Sequence, residues 1–140
     1  MERFPSVVSD IMSKLVTIES TGSVKEAAER MLEKNIGSII ITKDGKPAGI
    51  VTKSDLLARV IVDCRDPREC PVADIMSSPL LTIDKDTPIL EAMRVIKQKK
   101  VRRLLVSDGD ELVGIISEAD MINAVTVSSL TQFSSLLRKK

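Results

Sequence analysis

GIVTKSD at Gly49–Asp55 is answered by GIISEAD at Gly114–Asp120, 65 residues later in a chain of 140. Each stretch ends an apolar run, follows it with a hydroxyl side chain (Thr52, Ser117) and closes on an aspartate before a further apolar run. Working outward, the chain is one unit written twice. VSDIMS at Val8–Ser13 recurs as VADIMS at Val72–Ser77, and TIESTGSVKEAAERM (Thr17–Met31) runs without gaps against TIDKDTPILEAMRVI (Thr82–Ile96). The connection IVDCRDPRECP, with two prolines and dense charge, has linker chemistry. The expected organisation is a first repeat over 8–62, a linker over 63–71, a second repeat over 72–126 and a C-terminal tail over 127–140.

Periodicity assigns the elements within a unit. Val24, Ala27, Ala28, Met31 and Leu32 recur at helical spacing behind Ser23, with Glu26 three residues on as the partner of a capping box. Thr87-Pro88 predicts a similar start in the second copy, with proline at the first helical position. Ile39–Ile41 and Leu104–Val106 are short apolar runs. Each leads to an Asp-Gly pair (Asp44-Gly45, Asp108-Gly109) and a second apolar run, which predicts hairpins. Leu56, Leu57, Val60 and Ile61, matched by Met121, Ile122 and Val125, predict a closing helix. The fold class is therefore α/β in the α+β sense, two β-α-β-β-α repeats. A three-stranded sheet with two helices buries too little by itself, so the copies are expected to pack about a pseudo-two-fold axis.

Composition narrows the function. Apolar residues are 43% and charged residues 29% of the chain, no apolar run approaches the ~20 residues of a membrane span, and MERFPSVVSD carries no export signal. A soluble, cytoplasmic protein is expected. A net charge of +1 from 21 basic and 20 acidic residues gives no overall field for nucleic acid or membrane. Cys64 and Cys70 are too few for a disulfide framework or a structural zinc site and are expected as free thiols, with a short-loop disulfide as the alternative. There is no histidine and no nucleophile beside a plausible base, which argues against an enzyme.

The doubled signature, the β-α-β-β-α order, the DIMS segments and the hairpins resemble tandem cystathionine β-synthase domains, or CBS pairs, over residues 8 to 126. That resemblance implies adenine nucleotides (AMP, ADP or ATP), or S-adenosylmethionine in some members, bound between the two repeats without catalysis or a resident cofactor. It also implies a homodimer whose four repeats form a disc. Carried over by position, Asp55 and Asp120 would accept hydrogen bonds from ribose hydroxyls, and Thr52, Ser54 and Ser117 would donate toward phosphate. Gly49 and Gly114 would let the ligand approach the backbone, and Pro47 and Ala48, with the stretch Leu15–Thr17, would wall the base. A carboxylate is acceptor-only and can take both protons of a vicinal diol, so the chemistry holds on its own terms. The competing reading of each aspartate is a helix cap that satisfies free N–H groups.

KQKKVRR at Lys97–Arg103 holds five cations in seven residues. Lys97 and Lys99 suit a helix C-terminus. The resemblance implies that Arg102 and Arg103 reach the phosphate of a ligand held by Asp55. Their counterparts in the first copy are Gly37 and Ser38, and Ala119 stands where the first copy has Ser54, so the Asp55 site is expected to be the principal one. The tail carries Leu130, Phe133, Leu136 and Leu137 at near-helical spacing before Arg138, Lys139 and Lys140, an apolar stripe that either supports dimerisation or folds onto its own chain. The expected function is a nucleotide-sensing regulator of an unidentified protein. Its alternative is a nucleic-acid binder or ligand-free scaffold using Lys97–Arg103. Without tyrosine or tryptophan there is almost no base-stacking platform, which disfavours nucleic acid.

Overall fold

The computed structural model describes residues 5–78 and 80–138. It holds two three-stranded sheets, and the β-α-β-β-α order is present twice. In the first, β1 (Thr17–Glu19) runs parallel to β2 (Ser38–Lys43), which pairs antiparallel with β3 (Lys46–Thr52). In the second, β4 (Thr82–Asp84), β5 (Arg103–Asp108) and β6 (Glu111–Ser117) repeat that arrangement.

The two hairpins turn differently. Asp44 and Gly45 both have positive φ (53° and 77°), as a type I′ turn requires, and Asp-Gly supplies that cheaply. In the second copy Asp108 is still in the strand and the turn is Gly109-Asp110, with positive φ (63°) at Gly109 alone, as in a type II′ turn. The expected Asp108-Gly109 turn is therefore shifted by one residue, because glycine has moved to the position that needs it. Both return strands carry a bulge, at Ala48 and at Val113, each left unpaired where the register shifts.

Helix α1 (Val24–Lys34) starts where the sequence predicts, with Glu26 N donating to Ser23 Oγ at 3.1 Å, and ends at Asn35 in the left-handed region. Val24, Ala27 and Met31 enter the core, but Leu32, expected on that face, is 82% exposed. Helix α3 (Ile89–Lys99) ends the same way at Lys100. Pro88 precedes it as the N-cap instead of taking the first helical position, its carbonyl accepting from Ala92 N. The linker is built in: the Cys70 and Pro67 carbonyls accept from Val24 N and Lys25 N, first-turn groups that have no partner inside their own helix. Cys70 is buried, Cys64 is exposed, and both are free.

The chain divides into two compact units, and their bounds are not those of the sequence repeats. One comprises residues 15–80, the other 1–14 with 81–140. Each leading segment has changed places. Val72 and Ile75, from the start of the second repeat, are fully buried with Ile39, Ile41 and Val51 of the first. Ser77 and Ile50 exchange backbone hydrogen bonds at 2.9 and 3.0 Å, which covers the open edge of β3. Val8 likewise belongs to the core of Leu104, Val106, Ile116 and Met121, and Ser13 pairs with Ile115.

The closing helices differ. Helix α2 (Lys53–Leu56) passes into a π-helical turn at Leu57–Ile61, in which Val60 is buried while Leu57 and Ile61 are exposed. Helix α4 (Glu118–Arg138) runs on without a break through the region expected as a tail. The side chains of Phe133, Leu136, Leu137 and Arg138, and Lys139 and Lys140 altogether, lie outside the described residues.

Candidate functional site

Two copies of one junction, from strand to helix, carry most of the candidate residues. At the end of β3, Thr52 is the N-cap of α2 and Asp55 its third residue, and the two form a reciprocal capping box. Thr52 N and Oγ1 donate to Asp55 Oδ2 at 2.8 and 3.1 Å, and Asp55 N donates to Thr52 Oγ1 at 3.3 Å. The hydroxyl that the resemblance assigns to phosphate thus directs its proton at Asp55 here. Asp55 caps by returning to the strand end, from the third helical position. That engages Oδ2 and, among the described residues, leaves Oδ1 with only Arg59 Nε, 4.0 Å away, in a side chain 15% exposed.

Arg59 is a residue that the sequence reading missed. It also donates to the carbonyls of Ile75 and Met76 (3.0 and 3.3 Å), tying α2 to the incoming leading segment. Its signal was available, an arginine four residues after an aspartate on a predicted helix. Ser54 is exposed on the first turn of α2.

Gly49 is buried three residues before Thr52, and a Cβ there would lie 2.6 Å from Met76 Sδ and 3.0 Å from Ser77 O. The close approach served by its missing side chain is that of Met76. Thr17 lies in the same row of the sheet as Ile40 and Ile50, and its carbonyl accepts from Arg30 Nη1 at 2.7 Å. Pro47 and Ala48 sit at the bulge, toward the far end of β3 from Thr52.

The second junction is a reduced copy. Ser117 N donates to Asp120 Oδ2 and Asp120 N to Ser117 Oγ, both at 3.1 Å. Ala124 holds the position that Arg59 has in the first copy. Gly114 stands to Met12 as Gly49 does to Met76, with 2.5 Å from a built Cβ to Met12 Sδ. Arg103 opens β5 opposite Ser117, and Arg102, exposed, accepts at its carbonyl from Glu118 N at 2.8 Å. Within each unit the structure therefore joins strand end, hydroxyl and aspartate: Gly49, Thr52 and Asp55 in one, and Gly114, Ser117 and Asp120, with Arg102 and Arg103 beside them, in the other.

Among the described residues no group of three or more His, Cys, Asp or Glu could hold a metal ion, and no helix is long and apolar enough to cross a membrane. The doubled junction on doubled β-α-β-β-α sheets has a clear counterpart among known proteins, since residues 8–62 and again 72–127 match the CBS domain. The chain belongs to the CBS-domain family. An uncharacterized protein of Methanopyrus kandleri is 34% identical over 110 residues, which are 77% of this chain and 56% of that protein. This CBS pair thus spans about half of that relative. It covers 95% of the CBS domain-containing protein YhcV of Bacillus subtilis, at 29% identity over 92% of its own length. A solved structure from Pyrococcus horikoshii superimposes with a TM-score of 0.76 at 30% identity, covering 89% of this chain and 95% of that one. The hexameric CBS-CP12 protein of bloom-forming cyanobacteria gives 0.75 at 30% identity, covering 83% and 69%.

Proposed function

We propose that this CBS pair is a non-catalytic regulatory module of the cytoplasm that binds an adenine nucleotide (AMP, ADP or ATP), with S-adenosylmethionine as the alternative adenosyl ligand. The observation that carries the reading is the half-used carboxylate of Asp55. Oδ2 is fixed by the capping box, so the group is held still, while Oδ1 keeps its acceptor capacity in a largely enclosed setting. A carboxylate so oriented meets a vicinal diol at little further cost in side-chain entropy. The family resemblance assigns the phosphate to Thr52, Ser54, Arg102 and Arg103. The absence of histidine, and a buried Cys70 thiol aimed at the Pro71 carbonyl (3.6 Å) instead of at a base, support binding without turnover.

The test is a melting panel of AMP, ADP, ATP, GTP, S-adenosylmethionine and an oligonucleotide, combined with chromatography of the nucleotide after incubation. A ligand bound only by the folded state raises the melting temperature. Stabilisation by adenosine ligands with the nucleotide recovered unchanged is expected. No shift with any of them, or steady product from ATP, overturns the proposal.

A homodimer is the second reading, carried by Leu57, Ile61 and Val62, which are 58%, 65% and 73% exposed along one short helical stretch. Light scattering is expected to give twice the 15.3 kDa chain mass, and a monomer at tens of micromolar refutes it.

A further inference from the structure

Leu57 and Ile122 hold corresponding positions after the two strand-to-helix junctions, and both are exposed. The surfaces around them differ. In the unit of residues 15–80, Leu32, Leu57 and Ile61 project outward, and Glu29 and Glu33 share the exposed face of α1 with Leu32. In the unit of residues 1–14 and 81–140, the corresponding surface is a groove of about 760 Å³ between α3 and the start of α4. Leu90, Met93 and Ile122 line it, and so do Arg94, Lys97 and Lys100. One face is a set of apolar projections beside acids, and the other is an apolar hollow beside cations.

The difference is not one that the duplicated fold requires. Helices α1 and α3 have the same length and the same left-handed end, yet where α3 and its cap carry Arg94, Lys97 and Lys100, the first copy has Glu29, Leu32 and Asn35. None of the three cations takes part in an ion pair among the described residues. Glu29 pairs with Lys25 at 3.1 Å, but both side chains are more than half exposed, and such a pair is weak enough to give way to a better partner. A two-fold contact places the same patch on both sides. Two cationic faces so joined would set Arg94, Lys97 and Lys100 against their own images, an unfavourable juxtaposition, and two hollows would leave space unfilled. Charge and shape both select the unlike face.

We propose that the homodimer is antiparallel: the helical face of residues 15–80 in one copy seats on the α3–α4 groove of the second copy, and the two-fold axis repeats the contact with the roles exchanged. Leu57 and Ile61 would enter the hollow at Leu90, Met93 and Ile122 of the partner, and Glu29 and Glu33 would meet its Arg94 and Lys97. The proposal rests on the homodimer reading and adds which repeat faces which. The contact uses no residue assigned to the nucleotide.

Analytical ultracentrifugation of the full chain over a dilution series reads the dimer dissociation constant. Arg94→Gln with Lys97→Gln should weaken dimerisation by about three- to thirtyfold, and added salt should weaken the parent dimer more than the variant. A dimer that joins like faces gives the opposite sign, since neutralisation relieves repulsion and tightens it. Disulfide trapping reads the arrangement directly. It is done in a Cys64→Ser background, because Cys64 is an exposed free thiol. A Leu57→Cys chain mixed with an affinity-tagged Ile122→Cys chain should give disulfide-linked pairs of one tagged and one untagged chain, while neither variant links to itself. Dimerisation that is tightened by neutralisation or indifferent to it, or trapping of each variant with itself and not in the mixture, would overturn the antiparallel arrangement and leave the homodimer reading standing. A parent that stays monomeric would overturn that reading and the arrangement with it.

Discussion

Replacing Gly49 by alanine tests how the exchanged segment is locked to the first sheet. The new Cβ would stand 2.6 Å from Met76 Sδ, 2.8 Å from Met76 Cγ and 3.0 Å from Ser77 O. The methionine can swing away at the expense of its packing against the core, but Ser77 O belongs to the backbone segment paired with Ile50. Overpacking of this kind costs about 1–3 kcal/mol. For a chain of this size that is a fall of roughly 3–15 °C in melting temperature. Met76→Ala removes the nearer obstacle. In that background Gly49→Ala should cost less by about 1 kcal/mol or more, a coupling that a double-mutant cycle reads directly. Rescue should be partial, because Ser77 O stays where it is. The assay is thermal and urea unfolding of the four proteins. A Gly49→Ala protein as stable as the parent, or strict additivity with Met76→Ala, would refute the packing role of this glycine.

Ile75→Ala should cost about 2–5 kcal/mol, because this fully buried side chain leaves a cavity in the sheet of the other repeat. Hydrogen exchange should then accelerate at Ile39–Ile41 and Val51; acceleration confined to 81–138 would contradict the exchange of leading segments. Thr52→Ala should cost about 1 kcal/mol through loss of the cap of α2, measured by urea unfolding, and an unchanged midpoint would count against the capping box. Asp66 is held below the ordinary aspartate range mainly by the backbone N–H of Arg68 and then by that residue's side chain. A lowered carboxylate value adds stability at neutral pH that fades as pH falls below about 4, so the advantage of the parent over Asp66→Ala should shrink there. A difference in melting temperature independent of pH would remove that explanation.

The repeat, the element order and both strand-to-helix junctions were legible because they are written in local patterns: alternating apolar runs, a capping serine with Glu26, and glycine beside the hairpins. What was not legible depends on the partner across space. Nothing in VADIMS says that Val72 and Ile75 complete the core of the preceding repeat, since a buried segment reads alike whichever sheet it covers. The same limit explains Gly49 and Gly114, where the sequence shows a missing side chain but not that a methionine fills the space. Leu32 met helical spacing and still faces outward, while Val24, Ala27 and Met31 take the buried face of the helix. At the site, hydroxyl and aspartate were found from their spacing. The direction of the Thr52 proton and the approach of Arg59 depend on geometry that spacing does not encode.

The central claim, an adenosine ligand held by Asp55, is tested most directly by calorimetric titration of AMP into the parent and into Asp55→Ala, Asp120→Ala and Arg103→Ala. Removing a hydrogen bond to a charged group weakens binding by roughly ten- to hundredfold. The expected result is that Asp55→Ala and Arg103→Ala lose most AMP binding while Asp120→Ala keeps most of it. Greater damage from Asp120→Ala than from Asp55→Ala, or AMP heats unchanged across the whole series, would contradict the assignment.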